Sequence, residues 1–98
     1  MTEIAVKHVV FVFPNRGRRV GRIAIDQPEW LTETEACCTL VLDGMQPPSR
    51  VHGATTLQAL VLALRLARQR LHHFVADGGR VLDPEDDSDV EIDTLFAV

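Results

Sequence analysis

The chain has 98 residues, of which 46% are hydrophobic and 24% charged, with 14 acids against 10 basic residues and a formal net charge of -4. That length allows one domain, and the apolar content excludes a disordered chain. A pI near 5.4 speaks against a general nucleic-acid binder, and two cysteines are too few for a disulfide scaffold.

Residues 4–13, Ile-Ala-Val-Lys-His-Val-Val-Phe-Val-Phe, are rich in β-branched and aromatic types and predict a strand. From Val9 onward both of its faces are apolar, so it should be covered on both sides. Pro14-Asn15-Arg16-Gly17 supplies turn chemistry, since Pro presets φ and Asn and Gly tolerate positive φ. Residues 19–26 then alternate, with Gly21, Ile23 and Ile25 on one side, and pair back as a hairpin. Pro28 ends that strand, and Trp30 and Leu31 are expected to tuck the following connection against the sheet.

Residues 36–43 predict a third strand, with Cys38, Leu40 and Leu42 toward the core and Cys37, Thr39, Val41 and Asp43 opposite. Adjacent cysteines in a strand face opposite ways, so Cys37 and Cys38 read as reduced thiols used as small apolar residues. Residues 49–53 form a short fourth strand after Pro47-Pro48.

Thr55 and Gln58 have capping-box spacing, no Gly or Pro interrupts residues 56–76, and Asp77-Gly78-Gly79 follows. A helix over 56–76 results. At 3.6 residues per turn, Leu57, Leu60, Val61, Leu64, Leu71, Phe74 and Val75 form one stripe, flanked by Ala63 and Ala67, and this stripe is expected to face the sheet. Leu62 and Leu66 then point outward beside Ala59, Gln69 and His73. Surface scatter, cover from another segment, or a partner or homodimer surface would each explain them. Residues 80–82 suit a short strand. The tail, residues 90–98, alternates as Val90, Ile92, Thr94, Phe96, Val98 and favours a strand, although Ser88 and Glu91 also have capping spacing for a short helix.

The expected fold is therefore α+β: an antiparallel sheet of four to five strands within residues 4–53, one long helix across one face, and an acidic C-terminal segment over 77–98.

Charge is unevenly placed. Arg16, Arg18, Arg19 and Arg22 cluster at the first hairpin and could bind phosphate or nucleic acid, but no aromatic residue interleaves to stack bases. Residues 77–98 carry eight acids (Asp77, Asp83, Glu85, Asp86, Asp87, Asp89, Glu91, Asp93) and one arginine. Counted from Asp83, the EF-hand positions for Gly and Glu hold Ser88 and Thr94, so a calcium loop does not fit. A solvated loop guarding a sheet edge and an electrostatic landing strip for a basic protein remain open. His72 and His73 are adjacent on the helix and point about 100° apart, so they do not chelate one metal together. Neither serine, Ser49 or Ser88, lies in a nucleophile elbow, and no phosphate loop is present. No cofactor, metal site, catalytic residue or small-molecule substrate is expected. The acidic start of the chain, with Lys7 and His8 interrupting its apolar run, lacks the pattern of a secretory signal. The most apolar helical stretch contains Gln58 and Arg65 and is too short to span a membrane. Cytoplasmic residence is the expectation.

Val51-His52-Gly53-Ala54-Thr55-Thr56-Leu57-Gln58-Ala59-Leu60-Val61-Leu62-Ala63-Leu64 resembles a pattern in small bacterial proteins. In these, a strand-rich half precedes a Gly-x-Thr-x-x-Gln-Ala-Leu helix. The likeness covers roughly residues 18–82 and stops short of the acidic tail. Some such proteins are grouped with immunity or accessory proteins of toxin systems, so the resemblance implies a binding role without catalysis. The reading that follows is a protein-binding domain with Ala59, Leu62, Leu66, His73 or Asp83, Glu85, Asp86, Asp87 and Asp89 at the contact. The alternative is a nucleic-acid or phosphate binder using the arginine hairpin.

Overall fold

The structure is a computed structural model that describes residues 2–97. Its strands are β1 (Glu3–Phe13), β2 (Gly17–Asp26), β3 (Glu29–Trp30), β4 (Ala36–Asp43), β5 (Ser49–Gly53) and β6 (Arg80–Leu82), and its helices are α1 (Thr56–Ala76) and α2 (Ile92–Leu95). All strand pairings are antiparallel, in the order β3-β4-β2-β1-β6, with β5 on the free side of β4. The fold is α+β as expected, with six strands rather than four or five. The unexpected one is β3, which pairs only with Ala36 and Cys37; β6, at the residues 80–82 that suit a short strand, pairs only with Val10, Phe11 and Val12.

The β1–β2 turn uses Asn15 at φ 72 and Gly17 at φ 82, the left-handed conformations those residue types tolerate. Both faces of β4 are buried from Ala36 to Leu42. On one face Val9, Phe11, Ile23, Ile25, Cys38, Leu40 and Leu42 meet α1 in the core. Trp30 and Leu31 remain exposed, so the connection is not tucked under the sheet by them. A two-residue strand fixes only the backbone at Trp30 and leaves its indole at the rim.

The helix begins as its cap predicts. Thr55 Oγ1 accepts from Gln58 N at 3.0 Å, and Gln58 Oε1 accepts from Ala54 N at 2.6 Å. It ends where Gly78 takes φ 98 and its N–H donates to Val75 O. Its burial is different from the expected pattern. Ala59, Ala63, Ala67 and Leu71 are the fully buried positions, whereas Leu57 is 70% exposed and Val61, Leu64 and Val75 also reach solvent. The buried arc is thus turned by roughly a quarter of a turn from the leucine-rich stripe. The reason is close approach: an alanine at every fourth residue lets the helix backbone settle onto β4 and β5. At Gly53, a Cβ would stand 2.8 Å from Ala59 N, so the strand end and the helix start could not approach this closely with any side chain there.

From this contact α1 runs across the sheet to Phe74, whose ring packs edge-on against Phe11 and Phe13 at centroid distances of 5.7 and 5.1 Å. The tail is a second correction. Val90 N donates to Val81 O, and the chain then turns back as α2, burying Ile92 in the core. It is a short helix, not a strand, and Glu91 rather than Ser88 stands at its start. Val98 lies outside the described residues.

Candidate functional site: an apolar groove between the two helices

Because α1 packs through alanines, its larger side chains are left on the flanks. One flank holds Leu62 and Leu66. Both are half-buried, and Leu66 packs onto the core cluster together with Met45. Arg70 beside it donates to Gln46 Oε1 at 2.7 Å, tying this flank to the β4–β5 turn. Ala59 has no exposed surface at all, and His73 alone of the four expected contact residues is exposed. Of the surface expected at Ala59, Leu62, Leu66 and His73, Ala59 is therefore withdrawn into the core and the two leucines are only partly open to solvent.

The other flank is open. Val61 (44% exposed) and Leu64 (37% exposed) face Leu95, Phe96 and Ala97 across a groove of about 650 Å³, with Arg65, Arg68 and Asp93 on its rim. A narrower cavity of about 180 Å³ continues it onto the sheet, where Ala5, Val6, Lys7, Ile23 and Ile25 meet Leu64, Leu95 and Phe96. Short α2 is held in place by its first acid: Asp93 Oδ1 accepts from Arg68 Nη2 at 2.7 Å and lies 2.8 Å from His72 Nε2. These contacts, that of His72 first, hold the Asp93 carboxyl below the usual carboxylate range. Arg65 has no ion-pair partner among the described residues. Sequence reasoning assigned Val61 and Leu64 to the core and Leu95 and Phe96 to a strand. The missed signal was the Ala59-Ala63-Ala67 spacing, which marks the tightest contact line on a helix that is apolar around most of its circumference.

The charged candidates are brought together rather than presented separately. Asp83, Asp87 and Asp89 each meet a cation, respectively Lys7 at 3.3 Å, Arg18 at 2.6 Å and Arg80 at 3.1 Å. Asp86 accepts from the Ser88 hydroxyl and backbone N–H, which lowers its pKa, and Asp89 is lowered by its bond with Arg80. Among the five acids expected to meet a partner, Glu85 is the one engaged by neither a cation nor a serine among the described residues. In the arginine hairpin, Arg22 is held by Glu3 and Asp43, which raises its pKa, the Glu3 bond contributing most. The Arg19 guanidinium lies 5.6 Å from the Phe13 ring centroid. Arg16 alone extends unengaged among the described residues.

Cys37 and Cys38 are both free and buried. Among the described residues no three His, Cys, Asp or Glu side chains are grouped as a metal site requires, and no helix is long and apolar enough to cross a membrane. No family model matches the chain, and neither a curated protein nor a solved structure matches it.

Proposed function

We propose that this is a non-enzymatic protein-binding domain whose contact surface is the groove between α1 and α2. The observation that carries the reading is that Val61, Leu64 and Leu95, all partly exposed, line one groove together with Phe96 and Ala97. A volume of about 650 Å³ lined by Val61, Leu64, Leu95, Phe96 and Ala97 suits a short apolar segment of a partner protein. Arg65 on the rim calls for a carboxylate on that segment, so the occupant is an apolar, acidic stretch. The toxin-neutralising role implied by the resemblance is one form this function would take. The acidic loop is a weaker docking element, because Asp83, Asp87 and Asp89 are already paired. The arginine hairpin loses support as a phosphate site on the same grounds, with Arg18 and Arg22 engaged.

The test is selection of a displayed twelve-residue peptide library on the native protein, followed by affinity measurement against Leu64→Glu. Enriched peptides should pair apolar residues with at least one acid and lose at least tenfold in affinity for the variant, whose thermal midpoint should match the parent. Peptides that bind the variant equally well would overturn the reading.

A further inference from the structure

The sheet is left open along part of β1, next to the groove. β2 pairs with β1 along its length, but on the other side β6 pairs only with Val10, Phe11 and Val12. The ladder stops there for a local reason. β6 ends at Leu82, and Pro84, which has no N–H, stands where the next donor toward β1 would be.

The register fixes which backbone groups this edge presents. Val90 N–H donates to Val81 O, so the Val81 groups face away from β1. The bonds between β1 and β6 then belong to the pairs Val10–Leu82 and Val12–Arg80. Alternation along β1 sends the N–H and C=O of even-numbered residues to this side and those of Ala5, Lys7 and Val9 toward β2. Below Val10 the regular even-numbered residues are His8 and Val6, since a bulge interrupts the register at Ile4. Among the described residues no backbone hydrogen bond outside the ladders involves either of them. Their groups make a row of two donors and two acceptors at strand spacing, which is what another extended backbone pairs with. The outer edge of β5 is different. It carries Arg50 and His52, which bond Cys37 and Glu35, and such polar side chains blunt an edge. On β1 the open stretch carries Ile4 and Val6, each 51% exposed.

We infer that the partner segment joins the sheet as an extended strand along this edge of β1, bonded through its backbone to Val6 and His8. The inference rests on the protein-binding reading of the groove and specifies the conformation of what binds there. The edge opens directly onto the groove, because Ala5, Val6 and Lys7 line the adjoining 180 Å³ cavity with Leu64, Leu95 and Phe96. Alternate side chains of the added strand fall on the α1 side of the sheet and enter that cavity, so they are apolar. An acid beyond them meets Arg65 at the groove rim. A second copy of this chain fits less well. Two-fold pairing that bonds both Val6 and His8 sets the Lys7 side chains of the two copies directly opposite each other, and like charges in that position repel.

The test uses the peptides enriched on the native protein. Val6→Pro removes only the outward N–H and sets the proline ring against the edge, so the thermal midpoint should stay near that of the parent while peptide affinity falls at least about tenfold. In amide exchange of the ¹⁵N-labelled parent, Val6 and His8 should exchange at least about tenfold faster than Lys7 and Val9, and saturating peptide should slow both by a similar factor. That measurement decides the matter if Val6→Pro does not fold. Peptides that bind Val6→Pro as well as the parent, or that leave the exchange of Val6 and His8 unchanged, overturn the strand pairing; if the same peptides are lost on Leu64→Glu, the groove reading survives. A selection that enriches no peptide overturns both. A dimer in sedimentation that Val6→Pro dissociates makes a second copy the occupant and also overturns the inference.

Discussion

Arg18 and Asp87 lie 69 residues apart in sequence and meet at 2.6 Å. Arg18 is paired with Val12 on one side of β1, and β6, which leads into the acidic loop, lies on the other. The ion pair therefore spans β1 and joins the basic hairpin to the acidic segment. Two charge poles that look like separate surfaces along the sequence are thereby joined at one point in the fold.

Both partners of this pair are more than half exposed, so its stabilisation is modest. A double-mutant cycle with Arg18→Ala and Asp87→Asn, followed by urea unfolding, should give a coupling below about 1 kcal/mol. Asn is the appropriate replacement because position 87 has φ 58, which Asn tolerates and most residues do not. In 1 M salt the coupling should shrink further. A larger, salt-insensitive value would mean that the loop is locked onto the sheet by more than this contact.

The anchor of α2 should appear in the acid limb of stability. Asp93 has its pKa lowered by His72 and Arg68. A lowered carboxylate pKa in the folded state adds stability that is present above the unfolded value, near 3.8, and is lost as pH falls through the folded one. Asp93→Asn should thus lower the urea midpoint at pH 7, and the gap to the parent should close below pH 4. A gap that stays constant down to pH 2 would show that the charge is not what holds α2.

The orientation of α1 is testable with two opposite substitutions. Leu57→Ala, at a 70% exposed side chain, should change stability by no more than about 0.5 kcal/mol. Ala63→Leu, at a position with no exposed surface, forces the helix off the sheet and should cost about 1–3 kcal/mol or more. The leucine stripe read from sequence predicts the reverse order. Thermal midpoints of the two variants distinguish the orientations directly.

This contrast also marks how far the sequence was legible. The bounds of α1 and of β4 follow from local chemistry, in the Thr55 cap, the Asp77-Gly78-Gly79 stop and the β-branched runs, and they agree with the structure. The face of α1 does not follow from local chemistry. Apolar residues surround most of the helix, and which of them are buried depends on how closely two backbones approach, a property of Gly53 and Ala59 jointly. The tail was ambiguous for a related reason. Ile92 and Phe96 suit both an alternating strand and an i, i+4 helical pair, and only the open corner beside Leu64 makes the helix the better solution. The apolar groove depended on both of these features and so lay beyond a one-dimensional reading.

The two thiols should separate by their surroundings although they are neighbours in sequence. Cys38 points into the core beneath α1, donates to Asp26 O, and has its pKa raised, chiefly by burial and further by the charge of Asp26. Its alkylation therefore requires unfolding. Cys37 is almost as buried, but it lines a small cavity beside β3 on the opposite face of the sheet, where a local opening of β3 would expose it. With iodoacetamide at pH 8, both should react at least about 1000-fold more slowly than in urea, given the small unfolded fraction of a stable domain. Within the native protein Cys37 should react first. Mass mapping of the carbamidomethyl group identifies the order. If Cys38 reacts first, the core side of β4 opens more readily than the cavity side, and the assignment of a rigid face under α1 and an accessible one at β3 fails.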